Sequence, residues 1–137
     1  MMAVTVALAG DTMLGRGVAR TLATTPPGAM VAPEVLAALG EADLVVLNLE
    51  CCISERGRRW DAPGKPFFFR APPRAVELLV LLGVDCVTLA NNHALDYGVA
   101  AAGRLVLADP LGGGHQPRHR VVSRAEQVVV WSFRIVS

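Results

Sequence analysis

Val4-Thr5-Val6-Ala7-Leu8-Ala9-Gly10-Asp11 is an apolar, partly β-branched run that stops on a glycine and a carboxylate, and its pattern returns twice. A short run of this kind, closed by a turn signal, reads as a buried strand. Asp43 to Leu49 is the second such run and leaves through Asn48-Leu49-Glu50; Asp85 to Ala90 is the third and leaves through Asn91-Asn92-His93. Between the first two strands, Arg16 to Ala23 reads as a short helix and Pro26-Pro27-Gly28 breaks the chain. Pro33 then opens a second helix with Val35, Leu36 and Leu39 on one face and Gly40 near its end. Pro72-Pro73 starts a third, in which Val76, Leu79, Val80 and Gly83 keep helical spacing, and a fourth is expected from Val99 to Leu107. Strands alternating with helices are the pattern of right-handed parallel crossover units. The fold class is therefore α/β, a sheet with helices on both faces.

The rest of the chain bounds the answer. Its 137 residues, 53% of them hydrophobic, suffice for one domain with a real core. Thirteen basic against twelve acidic residues leave a formal charge of +1, so no overall field argues for nucleic acid or an anionic membrane. Three cysteines, two of them adjacent as Cys51-Cys52, make neither a disulfide framework nor a zinc knuckle and read as free or buried thiols. No apolar stretch approaches the ~18 residues of a spanning helix, and the N-terminus has no basic leader region, which gives a cytoplasmic reading. Ile53 to Pro73 carries four prolines, two glycines and the run Arg56-Gly57-Arg58-Arg59, so it reads as a long surface loop pinned by Trp60 and Phe67-Phe68-Phe69.

Open α/β sheets collect ligands at the carboxyl ends of their parallel strands, which is where the polar residues fall. Asp11 alone has two readings, a turn former or a ligand. Asn48 and Glu50 are two apart, share one side of an extended segment, and leave a buried strand together, so both need partners. Asn91-Asn92-His93 is either a loop that satisfies its own backbone, with a structural histidine, or part of the site; in the second case a neutral amide oxygen, the two carboxylates and one imidazole make an oxygen-rich set suited to Mn, Mg, Fe or Zn. One or two divalent ions, ~3.5–4 Å apart if paired, would polarise a phosphoryl or carbonyl oxygen and lower the pKa of water. His93 is the candidate proton donor to the leaving group. Asp96 either orients His93 or caps the helix expected from Val99. Lys65, Arg70 and the basic run at 56–59 either meet an anionic substrate or form a solvated rim; Arg70, behind three phenylalanines, fits the first better.

Four stretches, Gly10-Asp11-Thr12-Met13-Leu14-Gly15-Arg16, Asn48-Leu49-Glu50, Lys65-Pro66-Phe67-Phe68-Phe69-Arg70 and Ala90-Asn91-Asn92-His93-Ala94-Leu95-Asp96-Tyr97-Gly98, occur in the order of the motifs of a known family. They resemble the bacterial capsule-synthesis family called CapA, associated with poly-γ-glutamate and placed in the calcineurin-like metallophosphatase superfamily. The resemblance covers about the first hundred residues. It implies a layered metallophosphatase-like sheet with flanking helices, divalent metal, and an anionic polymer or phosphoester substrate handled at the cell envelope. It also implies Asp11, Glu50 and Asn92 as metal ligands, with Glu50 bridging, and His93 as the acid or transition-state stabiliser.

The resemblance departs at the C-terminal end. Family members continue past the Asn-Asn-His segment through a central region bearing another histidine motif, and close with Gly-His-x-Pro-His. Here Pro110-Leu111-Gly112-Gly113-Gly114 is followed by Gly114-His115-Gln116-Pro117-Arg118-His119, which looks like an altered form of that last motif, with His115 as a candidate ligand. Gln127 to Val136 reads as a further strand. The expected division is 1–109 as the N-terminal part of the domain and 110–137 as an atypical tail, either a remnant left by an internal deletion or gene-model error, or a basic tail with no metal role. A sheet incomplete in its C-terminal half would hold an incomplete ligand set and leave apolar surface open to association. A non-catalytic fragment that keeps polymer or partner binding through its basic loop is the competing reading.

Overall fold

The structure is a computed structural model and describes residues 3–61 and 63–101. Three parallel strands form its sheet: β1 (Val6–Thr12), β2 (Leu44–Leu49) and β5 (Cys86–Thr88), in the order β1-β2-β5. Between them lie α1 (Arg16–Thr24), a single 3-10 turn (Pro27–Ala29), α2 (Pro33–Gly40) and α3 (Ala75–Leu81). The α/β class is thus what the alternation of apolar runs indicated. Pro33 stands in the first turn of α2, where its missing N–H costs no hydrogen bond.

One face of the sheet carries the core. Val45, Leu47 and Leu49 alternate inward along β2 and meet Leu22 of α1 and Ala75, Leu78 and Leu79 of α3, with Leu39 of α2 packed at the edge. Leu79 and Leu22 are fully buried, each such side chain contributing about 1.5–3 kcal/mol relative to exposure. The opposite face is open among the described residues, because all three helices pack on the Val45–Leu47–Leu49 side.

Several expectations need correction. The first strand is not buried: it begins at Val6, runs on through Asp11 to Thr12, and leaves Val6 47% and Leu8 77% exposed. Their apolar character called for a covering layer, but β1 is the edge strand and both point to the uncovered face. Helices on both faces are likewise not found among the described residues. The long segment after Ile53 is a surface loop as expected, but its ends are joined by a short strand pair that was not, β3 (Cys52–Ile53) in parallel with β4 (Arg70–Ala71). The third strand is shorter than Asp85 to Ala90, and Val35 of α2 is exposed rather than on the packed face. Val99–Ala101 lie in turns, and the rest of the helix expected to Leu107, like His115 and the strand expected at 127–136, lies outside the described residues. Among those residues no helix is long and apolar enough to cross a membrane.

Candidate functional site

The sheet builds the site through a register shift. Val6 lies opposite Leu44 and Leu8 opposite Val46, but Asp11 lies opposite Asn48, so β1 takes up one extra residue between Leu8 and Asp11. Gly10, at φ 54°, is the left-handed residue of this bulge, a conformation glycine adopts without a Cβ clash. Continued without the bulge, the early register would set Gly10 against Asn48 and turn Asp11 to the core face beside Leu49. The extra residue brings Asp11 round to the face that carries Asn48 and Glu50.

The two carboxylates converge on one amide. Asn48 Nδ2 donates to Asp11 Oδ1 at 2.8 Å and to Glu50 Oε1 at 2.7 Å. Its Oδ1 accepts from Asn91 Nδ2 at 2.9 Å, and the same Asn91 nitrogen donates to the Leu49 carbonyl, also at 2.9 Å. Asn91 Oδ1 accepts the backbone N–H groups of His93 and Ala94, both at 2.9 Å. The turn after β5 is thereby shaped by its own side chain, as asparagine does in such turns.

His93 is held from two sides. Its Nδ1 lies 2.8 Å from Asp96 Oδ2, and its ring stacks on Phe69 with centroids 4.1 Å apart. Asp96 is fully buried; Oδ2 also accepts the Phe69 N–H at 2.6 Å, and Oδ1 pairs with the Lys65 ammonium. Burial pushes the Asp96 proton affinity up, but Lys65, His93 and the Phe69 amide outweigh it and hold its carboxyl below the usual carboxylate range. Of the two readings of Asp96, orientation of His93 matches these contacts, and its side chain caps no helix among the described residues.

The remaining candidates fall around this centre. Lys65 turns inward, to Asp96 and the Asn92 carbonyl, rather than out to the rim. Arg70 is half-buried, its guanidinium 4.2 Å from the Tyr97 ring and its Nη1 donating to the Arg56 carbonyl at 3.3 Å. Arg59 sits over Phe68 at 3.8 Å. Asn92 is exposed beside a cavity of about 450 Å³ whose walls include Trp60, Pro63, Lys65, Asn91 and Leu95. The cysteines are free, and burial pushes the Cys51 thiol up to about 11, which suits an inert core thiol.

Each of these carboxylates keeps a second oxygen that Asn48 does not engage, and carboxylate oxygens held close together suit a hard cation. Asp11 and Glu50 therefore fit a divalent ion, whereas the amide linked to them through Asn48 is that of Asn91, and Asn92, expected as a ligand, lies on the wall of the cavity with Trp60 and Lys65. Among the described residues no group of three or more His, Cys, Asp and Glu is arranged to hold one.

A family model described as "Bacterial capsule synthesis protein PGA_cap" matches residues 5–107 of the chain. The chain belongs to this family. The matched stretch takes in every candidate residue except His115. No curated protein matches the chain.

Reading residues by type missed three parts of the site. Asn48 and, with it, Asn91 hold the site together; the signal for Asn48 is an amide inside an otherwise apolar strand. Phe69 gave none beyond its place in an aromatic run. Gly10 reads as part of a turn signal and is instead the bulge residue, because one inserted residue leaves no mark on an apolar run.

Proposed function

We propose that this member of the family has, as its ancestral chemistry, the metal-dependent hydrolysis of an anionic, phosphoester-like substrate in capsule or poly-γ-glutamate biosynthesis. The observation that supports the reading is the convergence of Asp11 and Glu50, at and just past the ends of adjacent parallel strands, on the Asn48 amide, which Asn91 links to the turn carrying His93. In this reading residues 1–109 are the N-terminal part of a layered metallophosphatase-like domain working at the envelope, and 110–137 are a remnant of its closing motif.

Asp11, Glu50 and Asn92 would hold the ion, with His115 as a further ligand. A divalent cation bound there polarises a phosphoryl oxygen and makes water a better nucleophile. The chain's own residues do the rest. Asp96, kept ionised by Lys65, accepts from His93 Nδ1–H, so Nε2 is the ring atom that exchanges a proton with the leaving group. Phe69 fixes the plane of that ring. Hydrolysis of an aryl phosphate by the purified chain tests the reading: Mn2+ should stimulate it, and a chelator, Asp11→Ala or His93→Ala should abolish it. Metal-independent turnover, or turnover indifferent to both substitutions, would count against it.

A second reading is favoured by the exposed Arg56, Arg58 and Arg59 and by Arg70 stacked on Tyr97. These arginines would retain an anionic polymer without chemistry. Arg70→Ala would then weaken polymer retention while Asp11→Ala left it unchanged.

A further inference from the structure

The bonds around Asn48 have an order that chemistry alone fixes. Ionised carboxylates only accept, so the group between Asp11 and Glu50 must be the Asn48 NH2. Its oxygen must then face Asn91, which answers with its own NH2 and shares it with the Leu49 carbonyl. That leaves the Asn91 oxygen for the two backbone donors, His93 N–H and Ala94 N–H. Every donor meets an acceptor, and no alternative amide orientation satisfies all of them.

From this we infer that Asn48, acting through Asn91, is a positioning residue that ties the Asp11–Glu50 pair to the turn that carries His93. The relay crosses all three strands of the sheet at their carboxyl ends: Asp11 on β1, Asn48 and Glu50 on and just past β2, Asn91 just past β5. Without it the three strand ends are joined at the site only by the short ladders of a three-stranded sheet, and the His93 turn follows a β5 of three residues. A chain of mutually polarising hydrogen bonds is stiffer than its members taken singly. Groups one step removed from a ligand set typically alter ion affinity by about 10–100-fold. The inference rests on the function proposed above for what the relay positions, though not for the existence of the relay.

The test uses the full chain and two readouts. In amide hydrogen exchange, Asn48→Ala should speed exchange at His93 and Ala94 by roughly 5–10-fold, the loss of about one net hydrogen bond, while Leu47 and Leu79 keep wild-type protection. With Mn2+ alone as the probe, the same variant should bind about 10-fold or more weakly. Asn91→Ser, whose hydroxyl still serves the turn amides but does not span to Asn48, should weaken Mn2+ while touching neither carboxylate. Exchange at His93 and Ala94 that stays at wild-type rates in Asn48→Ala, or that rises equally with Leu47 and Leu79, overturns the relay. So does Mn2+ affinity unchanged in Asn91→Ser. If the wild-type chain itself binds no Mn2+, the proposed function fails, and the exchange rates still decide the relay.

Discussion

Asp96→Ala is the substitution with the largest calculable consequence. The carboxylate is fully buried and serves three donors: the Phe69 N–H at 2.6 Å, His93 Nδ1 at 2.8 Å, and the Lys65 ammonium, whose own side chain is only 13% exposed. Truncation leaves a nearly buried cation without its counter-ion and a backbone donor without an acceptor. Breaking a buried ion pair from one side costs about 3–5 kcal/mol. For a chain of 137 residues each kcal/mol moves Tm by about 3–5 °C, so a fall of roughly 10 °C or more is expected. Urea unfolding gives the free energy directly, with an unchanged m-value as the sign that the native state is still compact. If the orphaned ammonium is the main cost, adding Lys65→Met to Asp96→Ala should recover about 1–2 kcal/mol. A loss below about 1 kcal/mol for Asp96→Ala, or no relief in the double variant, would refute the reasoning.

Other consequences follow from single features. Because the Asp96 carboxyl is held below its ordinary value, the stability it contributes is present above about pH 4 and lost as pH falls through the lower folded value; acid unfolding should therefore begin at a higher pH in Lys65→Met than in the wild type. Gly57 has φ 81°, and a Cβ there would lie 2.2 Å from the Tyr97 carbonyl oxygen; Gly57→Ala should cost about 2 kcal/mol or more, measured by the same unfolding curves, and a neutral substitution would show that the basic loop does not dock on the Tyr97 turn. Gly10→Val, whose β-branched side chain disfavours φ 54°, should favour the simple β1–β2 register and turn Asp11 to the core face beside Leu49, so that Mn2+ binding is lost while circular dichroism still reports a folded α/β chain. Retained binding would mean that the bulge does not aim Asp11.

The sequence carried much of this because its signals were local. Each strand end announces itself where an apolar run meets Asp11, Asn48-Leu49-Glu50 or Asn91-Asn92-His93, and Pro33 and Pro72-Pro73 mark helix starts whose meaning needs no tertiary context. What stayed hidden depends on what lies beside a residue. Val6 and Leu8 are as apolar as Val45 and Leu47, and only the place of β1 at the sheet edge, with the helices on the other side, separates exposed from buried. Lys65 read as a rim cation because its partner Asp96 arrives from beyond α3 and β5. The pairing of Cys52–Ile53 with Arg70–Ala71 closes a proline-rich segment across its whole length, and two-residue strands leave no periodicity to detect.

The central claim is that Asp11 and Glu50 form the start of a metal site. Metal content per folded chain, measured by elemental analysis beside Asp11→Ala and Glu50→Ala after equilibration with trace divalent ions, tests it most directly. Near-stoichiometric metal in the wild type that either substitution abolishes is the expected result. Folded wild-type chain with no metal, or metal that persists in both variants, would contradict it.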